Sequence, residues 1–405
     1  MESKFSEAQS KSISRIIPIM AAVFSLFLVV GIALPVIPLQ VHNTLGFGSF
    51  VVGTVTGVQF LTSLISRVWA GNYSDNKGGK AAVINGMVGA VIAGGCYLLS
   101  IYLPVSRELS VSILALGRGI LGGAESFVIT GALSWSIAVA GSHHTGKVIA
   151  WVGTAMYAAF AAGAPIGMLL FNHYSFSLIA FLTLIIPLMA MGVVLPMASS
   201  LVRHDQKEEH TFTSVIKHVW QPGVGLALTS LGFGCMTAFS TLFFMMKHWD
   251  SAWLGFSLFA VAFIVVRLAF GSLTDRLGGA QVALVCIVIE ALGLLMIGFA
   301  NEPNIALVGC TLTGVGYSLV YPGLGVEAVN RVPATQRGLA MGLYTAFLDL
   351  TLGLAIPALG FVADHSQLNM VFFISAILVG AASIVSYKLI KSKKQLKLSD
   401  AELSA

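Results

Sequence analysis

The stretch that decides the fold is Arg67-Val-Trp-Ala-Gly71-Asn-Tyr-Ser74-Asp75-Asn-Lys77-Gly78-Gly79. It returns 200 residues later as Arg267-Leu-Ala-Phe-Gly271-Ser-Leu-Thr274-Asp275-Arg276-Leu-Gly278-Gly279. The Arg, Gly, Asp and paired Gly positions recur in register, and an apolar segment precedes both copies. Weak internal repetition of this kind predicts a membrane protein built from two similar halves.

A second set of positions extends the repeat with a different offset. Its members return 192 residues later: Gly117, Gly122, Ser126, Gly131, Gly146 and Pro165 correspond to Gly309, Gly314, Ser318, Gly323, Gly338 and Pro357. The eight missing residues fit the stretch around 104–108, which has only a short counterpart near Glu302. If each half holds an even number of spans, an axis along the membrane normal relates the two.

Composition places the chain in a bilayer. Apolar residues make up 57% of it and charged residues 10%, against about 45–50% and about 25% in soluble domains. Continuous apolar runs without strand-like alternation favour helices over a barrel. The runs number six on each side of a polar stretch: 16–41, 48–70, 81–103, 109–141, 147–171 and 177–198, then 223–246, 251–273, 281–300, 303–328, 338–363 and 370–390.

The predicted fold class is therefore an all-α integral membrane protein with 12 transmembrane helices in two six-helix, pseudo-symmetric halves. The first run is too long and lacks the cleavage site of a signal peptide, so it is interpreted as a retained span. The predicted divisions are a cytoplasmic tail 1–15, a bundle 16–200, a cytoplasmic linker 201–222, a second bundle 223–390 and a cytoplasmic tail 391–405.

Basic residues predict the orientation, because Lys and Arg accumulate on the cytoplasmic side. With both termini inside, 17 of the 22 Lys and Arg residues are cytoplasmic and only Arg107 and Lys247 lie outside. The other three, Arg67, Arg118 and Arg267, fall within spans. The net charge of +5 thus reflects topology, and no nucleic acid is expected as a partner.

These motifs resemble those of the major facilitator superfamily. Gly71-x-x-x-Asp75-x-Lys77-Gly78-x-Lys80, in the loop after span two, is similar to its signature loop, and Arg118-x-x-x-Gly122 with Glu125 is similar to its second motif. Gly163-Ala-Pro165-Ile-Gly167 resembles the Gly-Pro motif of the drug:proton antiporter branch. Within the superfamily, the stretches 157–167, 314–322 and 344–357 most resemble the YhhS/YfcJ-type bacterial group, which is described as sugar-efflux-like. Ala164 and Met168 depart from the antiporter pattern, so the resemblance implies transport more firmly than export.

The repeated motif predicts two cytoplasmic gating latches. Arg67, Gly71 and Asp75 are spaced by four and would share one helix face. A carboxylate there can meet a helix N-terminus or a basic loop residue and fasten the halves. The latch residues are Arg67, Gly71, Asp75 and Lys77 in the first copy and Arg267, Gly271, Asp275 and Arg276 in the second. Alternatively, the loop only anchors the topology through its basic residues.

Ionisable residues inside spans are costly and point to function. The resemblance ties the motif in span four to proton coupling, and we predict Glu125 and Asp349 as the protonatable groups, with Arg118 tuning Glu125. The alternative is a static Arg118–Glu125 pair. Glu290 is assigned a lipid-proximal or structural role, and Glu327 a helix-end ion pair with Arg331 four residues on.

Polar residues in other spans are candidates for the substrate cavity: Gln59, Tyr157, Thr237, Ser240 and Thr241. Hydroxyls in membrane helices commonly bond their own backbone instead. Glycine and proline residues are expected to kink spans five and eleven and shape the cavity. These are Gly163, Pro165, Gly167 and Pro357.

Enzyme signals fail on inspection. Gly141-x-x-x-x-Gly146-Lys147 imitates a phosphate loop, but Val148 stands where a hydroxyl is needed. His-Glu-x-x-His is absent from the sequence, and the four Cys residues are dispersed within spans, so neither a metal nor a disulfide framework is predicted. No ATP or other cofactor is implied, and the energy source would be a proton gradient.

The resulting prediction is a proton-coupled exporter of a drug, sugar or metabolite, working by alternating access as a monomer in a bacterial inner membrane. Its partners would be a small-molecule substrate, protons and the lipid bilayer. A proton-coupled importer on the same fold is the first alternative, and a membrane sensor or enzyme is the second. The short central loop and tails disfavour the second alternative.

Overall fold

A computed structural model of the chain describes residues 2–141, 145–199, 212–249, 252–333 and 336–403. Those residues form α-helices and one short π-helical segment. In order they are α1 (Glu2–Ala33), α2 (Val36–Leu39), the π-helix (Gln40–Thr44), α3 (Ser49–Lys77), α4 (Gly79–Tyr102), α5 (Arg107–Ala140), α6 (Thr145–His173), α7 (Phe176–Val194), α8 (Phe212–Met246), α9 (Ala252–Phe270), α10 (Leu273–Leu277), α11 (Gly279–Phe299), α12 (Pro303–Ser318), α13 (Val320–Val329), α14 (Arg337–His365) and α15 (Asn369–Leu403).

Twelve segments of the described chain are long and apolar enough to cross a membrane, as the sequence predicted. The first span, Ile16–Thr44, continues from α1 through α2 into the π-helix, with a turn at Leu34 and Pro35. The tenth, Pro303–Val329, joins α12 and α13, and α10 is too short to span. The fold is thus an all-α integral membrane fold of 12 spans.

Two helix ends differ from the sequence-based boundaries. The sequence predicts a loop for the motif after span two, but α3 continues through Lys77, so Asp75 and Lys77 lie on its last turns. The helix stops because Gly78 adopts φ 91°, a conformation that glycine reaches without strain. In the predicted linker 201–222, residues 201–211 lie outside the described part, and α8 is already helical from Phe212.

The chain divides into two compact units, and the first comprises Met1–Phe47 and Thr54–Lys207. Its helices approach closely at glycines. A Cβ placed on Gly79 of α4 would lie within 3.0 Å of the Gly131 carbonyl of α5, and one on Gly94 would lie 2.5 Å from the Leu184 nitrogen of α7. Small residues that let backbones touch are the usual basis of packing in membrane helices.

Gly94 and its neighbour Gly95 provide a matched test of this packing. Gly94→Ala should destabilise the protein by about 1–3 kcal/mol, because the added methyl must displace α7. At Gly95 a Cβ would meet no atom within 4 Å, so Gly95→Ala should be neutral or slightly stabilising. Thermal unfolding of the two purified variants, followed by tryptophan fluorescence, measures the difference. Equal melting temperatures would contradict the packing described for α4 and α7.

The second unit comprises Glu208–Ala405 together with Gly48–Gly53, the segment that contains the first turn of α3. Within this unit Asp364, near the end of α14, accepts hydrogen bonds from the backbone N–H groups of Ser49 at 2.6 Å and Phe50 at 2.9 Å. Its carboxylate therefore satisfies amides that a helix N-terminus leaves unpaired. Gly360 makes room for this contact, since a Cβ there would strike the Ser49 backbone.

The sequence repeat corresponds to equivalent contacts inside each unit. Gly122 of α5 packs on the Gln59 carbonyl of α3, and Gly314 of α12 packs on the Phe259 carbonyl of α9. Ser126 Oγ donates to the Ser63 carbonyl at 2.5 Å, and Ser318 Oγ to the Phe263 carbonyl at 2.6 Å. In each pair of contacts the carbonyl residues are 200 positions apart in sequence, and the glycine or serine residues are 192 positions apart. The repeat therefore encodes the same interhelical contacts twice.

Candidate transport and coupling site

Glu125 is buried in the first unit between α5 and α3. Its side chain is 6% exposed, and the amide of Gln59 donates a hydrogen bond to its Oε2 at 3.0 Å. The contact is held by the helix packing around it, because Gly122 lies against Gln59 and Thr62 Oγ1 donates to the Gly119 carbonyl at 2.8 Å. The structure thus joins Glu125, a predicted protonatable group, to Gln59, which was predicted only as a cavity residue.

Arg118 lies two turns before Glu125 on α5 and is fully buried. It interacts electrostatically with Tyr97 of α4, and none of its three guanidinium nitrogens makes a hydrogen bond of normal geometry with a described residue. Gly117 allows this approach, since a Cβ there would meet the Tyr97 ring. Hydrogen bonds thus link Glu125 to Gln59, and Arg118 lies beside a tyrosine that the sequence did not single out.

Asp349 lies in the second unit on α14 and is 4% exposed. It stands midway between Arg337 and His365, the ends of that helix. A carboxyl group at such a depth is costly unless it is neutral or paired. Tyr157, its predicted counterpart in the repeat, belongs to α6. The side chain of Tyr157 is outside the described part of the chain.

The first predicted latch lies on the last turns of α3. Asp75 and Lys77 are exposed, Arg67 is half-buried, and a Cβ on Gly71 would meet nothing within 4 Å. The spacing of four therefore does present these residues on a continuous helix, and Asp75 is accessible for a contact. Gly71 is not required for close packing inside the first unit.

Lys80, the last residue of the motif, lies at the start of α4. Its ammonium donates to the carbonyls of Leu195 at 2.7 Å and Met197 at 2.5 Å, just past the end of α7. A cation at this end of a helix neutralises carbonyls that have no partner in the helix. The lysine of the motif thus ties α4 to α7.

Lys80→Met should lower the stability of the protein by about 1–2 kcal/mol, because two carbonyls lose their donor while the apolar stem is kept. Lys77→Met is the matched control, since the Lys77 side chain is exposed and belongs to the same motif. The melting temperatures of the purified variants measure the effect. Equal melting temperatures for Lys80→Met and Lys77→Met would show that the Lys80 hydrogen bonds between α4 and α7 do not contribute to stability.

The second predicted latch differs from the first. Helix α9 ends at Phe270, Gly271 and Ser272 form a turn, and α10 is a separate short helix. Arg267, Gly271 and Asp275 therefore do not lie on one continuous helix, unlike Arg67, Gly71 and Asp75 in the first copy. The side chain of Asp275 is outside the described part of the chain, and that of Arg276 is exposed.

Arg267 is engaged inside the second unit instead. Its Nη1 donates to the Ser318 carbonyl at 3.1 Å, and its guanidinium lies 5.8 Å from the centre of the Phe263 ring. Cation–π contacts at this distance are favourable. This arginine thus connects α9 to the end of α12.

Two of the hydroxyl groups predicted for the substrate cavity donate hydrogen bonds to the backbone of their own helix. Thr237 Oγ1 donates to the Gly234 carbonyl at 2.9 Å, and Ser240 Oγ to the Met236 carbonyl at 2.5 Å, all on α8. Thr241 is buried on the same helix. Bonds of this kind satisfy the hydroxyl locally and leave it less available to a ligand.

The predicted kink residues contribute to packing. Helix α6 continues through Pro165, and α14 continues through Pro357. Gly163 and Gly167 lie flush against the backbone of α1, where a Cβ would strike Ile32. These glycines therefore bring spans one and five together.

Glu327 and Arg331 lie near the end of α13, as predicted for a helix-end pair. Glu327 Oε1 accepts from the Ala280 N–H at 3.4 Å, and Arg331 Nη1 donates to Gln221 Oε1 at 3.0 Å. Burial lowers the pKa of Arg331, and the nearby Glu327 carboxylate opposes that shift. The pair interacts through space while each member bonds elsewhere.

Glu290 of α11 is fully buried within the second unit. Of the two roles expected for it, the lipid-proximal role is therefore wrong, and burial is compatible with the structural role. The sequence signals that could have located it are two glycines: Gly232 leaves room for the Glu290 carboxyl group, and Gly316 leaves room for the Glu290 backbone. Among the described residues, no group of three His, Cys, Asp or Glu could hold a metal ion.

Twelve apolar spans, internal duplication and buried charges define a polytopic membrane protein of the transporter class. The family model of the Major Facilitator Superfamily matches residues 19–278 and 248–403. The uncharacterized MFS-type transporter YhhS of Escherichia coli (strain K12) is 38% identical over 93% of both chains. YhhS of Salmonella enteritidis PT4 is likewise 38% identical, over 93% of both.

The solved structures agree on the fold. A D-xylose-proton symporter superposes with a TM-score of 0.76, at 14% identity, over 92% of this chain and 97% of its own. The chain therefore belongs to the major facilitator superfamily, and its relatives include the YhhS transporters. It is a multi-pass membrane transporter and not an enzyme, and it acts on a small molecule within a lipid bilayer.

Proposed function

We propose that the chain is a proton-coupled secondary transporter that exports a small organic solute, such as a drug, a sugar or a related metabolite, by alternating access. The observation that carries the proposal is the buried carboxyl of Glu125, which is hydrogen-bonded to Gln59 within the bilayer-spanning part of the first unit. A buried acid whose surroundings change during transport can bind and release a proton.

The coupling residues in this proposal are Glu125 and Asp349, with Arg118 acting on the first unit. Arg118 lies one heptad from Glu125 on the same helix, roughly 10 Å along its axis. At that separation Arg118 acts on Glu125 through space, since none of its guanidinium nitrogens makes a hydrogen bond to that carboxyl group. The resemblance of this stretch to the second motif of the superfamily supports the same assignment.

The proposed orientation has both termini in the cytoplasm of a bacterium, with the chain in the inner membrane. The distribution of basic residues supports it. In this orientation Asp75 and Arg67 lie at the cytoplasmic end of α3, where a carboxylate can engage a partner as the inner side closes. Arg267, Gly271, Asp275 and Arg276 would form the second copy of the latch.

Export is favoured over import by the Gly163-Ala-Pro165-Ile-Gly167 stretch, which is similar to the antiporter motif. Transport in inverted membrane vesicles tests the direction. A panel of labelled sugars and toxic compounds is added outside, and the proton gradient is imposed with an acidic lumen. An exporter accumulates its substrate in the vesicles, and a protonophore abolishes the accumulation. Substrate movement out of preloaded vesicles under the same gradient would mean that the protein is an importer.

A further inference from the structure

Glu290 occupies the interior of the second unit without a hydrogen-bonding partner. Its side chain is 0% exposed, and neither carboxyl oxygen makes a hydrogen bond to any described residue. Desolvating an unpaired carboxylate is far more costly than desolvating a neutral acid.

The protein makes space for this acid with two glycines on neighbouring helices. A Cβ on Gly232 of α8 would collide with Glu290 Oε1, and a Cβ on Gly316 of α12 would lie within 3.0 Å of the Glu290 backbone nitrogen. The carboxyl group thus lies against Gly232 of α8, and the backbone of α11 at Glu290 packs against Gly316 of α12. A side chain accommodated this closely is part of the packed core.

The internal repeat relates the surroundings of Glu290 to the site of the first unit. The offset of 192 pairs Glu125 with Tyr317, which lies beside Gly316 on α12. Tyr317 is buried, interacts with Ser230 of α8, and is close enough to Glu290 to feel its charge. The first unit thus has the carboxyl group of Glu125 at this position on α5. The second unit has the phenol of Tyr317 on α12, next to the carboxyl group of Glu290 on α11.

Among the residues that the structure describes, no cation makes a hydrogen bond to the carboxyl group of Glu290. Cys286, one turn earlier on α11, and Tyr317 interact with it electrostatically. Beyond Tyr317 lie Tyr321 and Arg267, which act on that phenol. From α8, Cys235 interacts with Ser375 and Cys310 instead. On α15 the titratable groups whose side chains the structure describes are Tyr387, Lys388 and Lys391, near the end of its span.

We propose that Glu290 is a second proton-binding site, which carries its proton in this conformation and releases it when the transport cycle exposes Tyr317. The inference rests on the proposed proton-coupled function. Glu290 would be coupled to the transport cycle through Tyr317, which interacts electrostatically with both Glu290 and Arg267. Arg267 is the predicted latch residue that donates a hydrogen bond to the Ser318 carbonyl. Movement of Arg267 would change the potential at Tyr317 and so the proton occupancy of Glu290.

Infrared difference spectroscopy on the full chain in liposomes tests proton binding without requiring transport. At neutral pH the wild type should show the carbonyl stretch of a buried protonated carboxylic acid, and Glu290→Gln should lose that band. Glu302→Gln is the matched control, since Glu302 is exposed in a loop. A band unchanged in Glu290→Gln, with no protonated acid attributable to this position, would overturn the proposal.

Flux measurements test proton release. Glu290→Gln mimics the neutral acid, so gradient-driven accumulation should fall about tenfold while substrate counterflow, which moves no net proton, stays within about twofold. Glu290→Asp keeps an ionisable group and should restore part of the accumulation. Full accumulation by Glu290→Gln would mean a static core acid and would refute release. If Glu290→Gln does not fold, Glu290→Asp tests proton binding instead. The protonated-acid band of Glu290→Asp should be shifted relative to that of the wild type if the site binds a proton, and an unchanged band would refute proton binding.

The two proposals fail separately. If the wild type shows no proton-driven flux for any compound of the panel, the proposed function falls, and so does the role of Glu290 in coupling. The infrared band still decides whether Glu290 binds a proton. If the wild type is proton-driven and Glu290→Gln is indistinguishable from it, only the second site is refuted.

Discussion

Glu125→Gln is expected to abolish gradient-driven accumulation, so that the ratio of substrate inside to outside vesicles falls to about 1, the value without coupling. Gln is nearly isosteric with Glu but cannot exchange a proton. Its side chain can still pair with Gln59, which donates to Glu125 Oε2 in the structure. The packing of α3 on α5 is therefore kept while the titratable group is lost.

Counterflow separates loss of coupling from loss of the transporter. Because exchange of substrate for substrate needs no net proton movement, Glu125→Gln should retain it within about twofold. Glu302→Gln, in an exposed loop, is the control for loss of a carboxylate. Asp349→Asn is measured in the same assay. If proton-driven accumulation survives both Glu125→Gln and Asp349→Asn, the assignment of these residues to coupling is wrong.

The pH dependence of accumulation gives an independent readout of the same substitution. A wild type that couples through a buried acid loses activity when the side that supplies the proton, the lumen of the inverted vesicles, is alkaline enough to leave the acid ionised throughout the cycle. Glu125→Gln removes that ionisation, so its counterflow should vary less with pH than that of the wild type. An identical pH profile in both proteins would place the titrating group elsewhere.

The count and type of the spans could be predicted from the sequence because each follows from a local property. About twenty apolar residues define a span, and the duplicated Arg67–Gly79 and Arg267–Gly279 stretches define two halves. The family resemblance was also readable, because its motifs are short and contiguous. The comparisons confirm the superfamily and the YhhS relationship.

The partners of the buried polar groups could not be predicted, because they depend on side chains meeting from distant parts of the chain. Gln59 and Glu125 are 66 positions apart, and Arg118 approaches Tyr97 because Gly117 allows it. The break after Phe270 was missed for a related reason. The two motif copies have the same spacing, but only the second has the turn at Gly271 and Ser272.

Glycine replacements should test whether the two halves use equivalent contacts. Gly122→Ala in α5 and Gly314→Ala in α12 should each cost about 1–3 kcal/mol of stability, because each added methyl falls within 3.0 Å of a carbonyl on a neighbouring helix. The carbonyls belong to Gln59 and Phe259, which correspond in the repeat. The two losses should therefore be similar, although the sequences around them differ.

Gly123→Ala is the matched control for Gly122→Ala, since a Cβ on Gly123 would meet only Ser66 Oγ at 3.9 Å. Gly380→Ala serves the second unit, where the nearest atom would be 4.0 Å away. Both controls should change stability by less than about 0.5 kcal/mol. Gly122→Ala should also impair coupling, because moving α3 displaces Gln59 from Glu125. A large loss in one unit and none in the other would show that the repeat in sequence does not carry an equivalent repeat in packing.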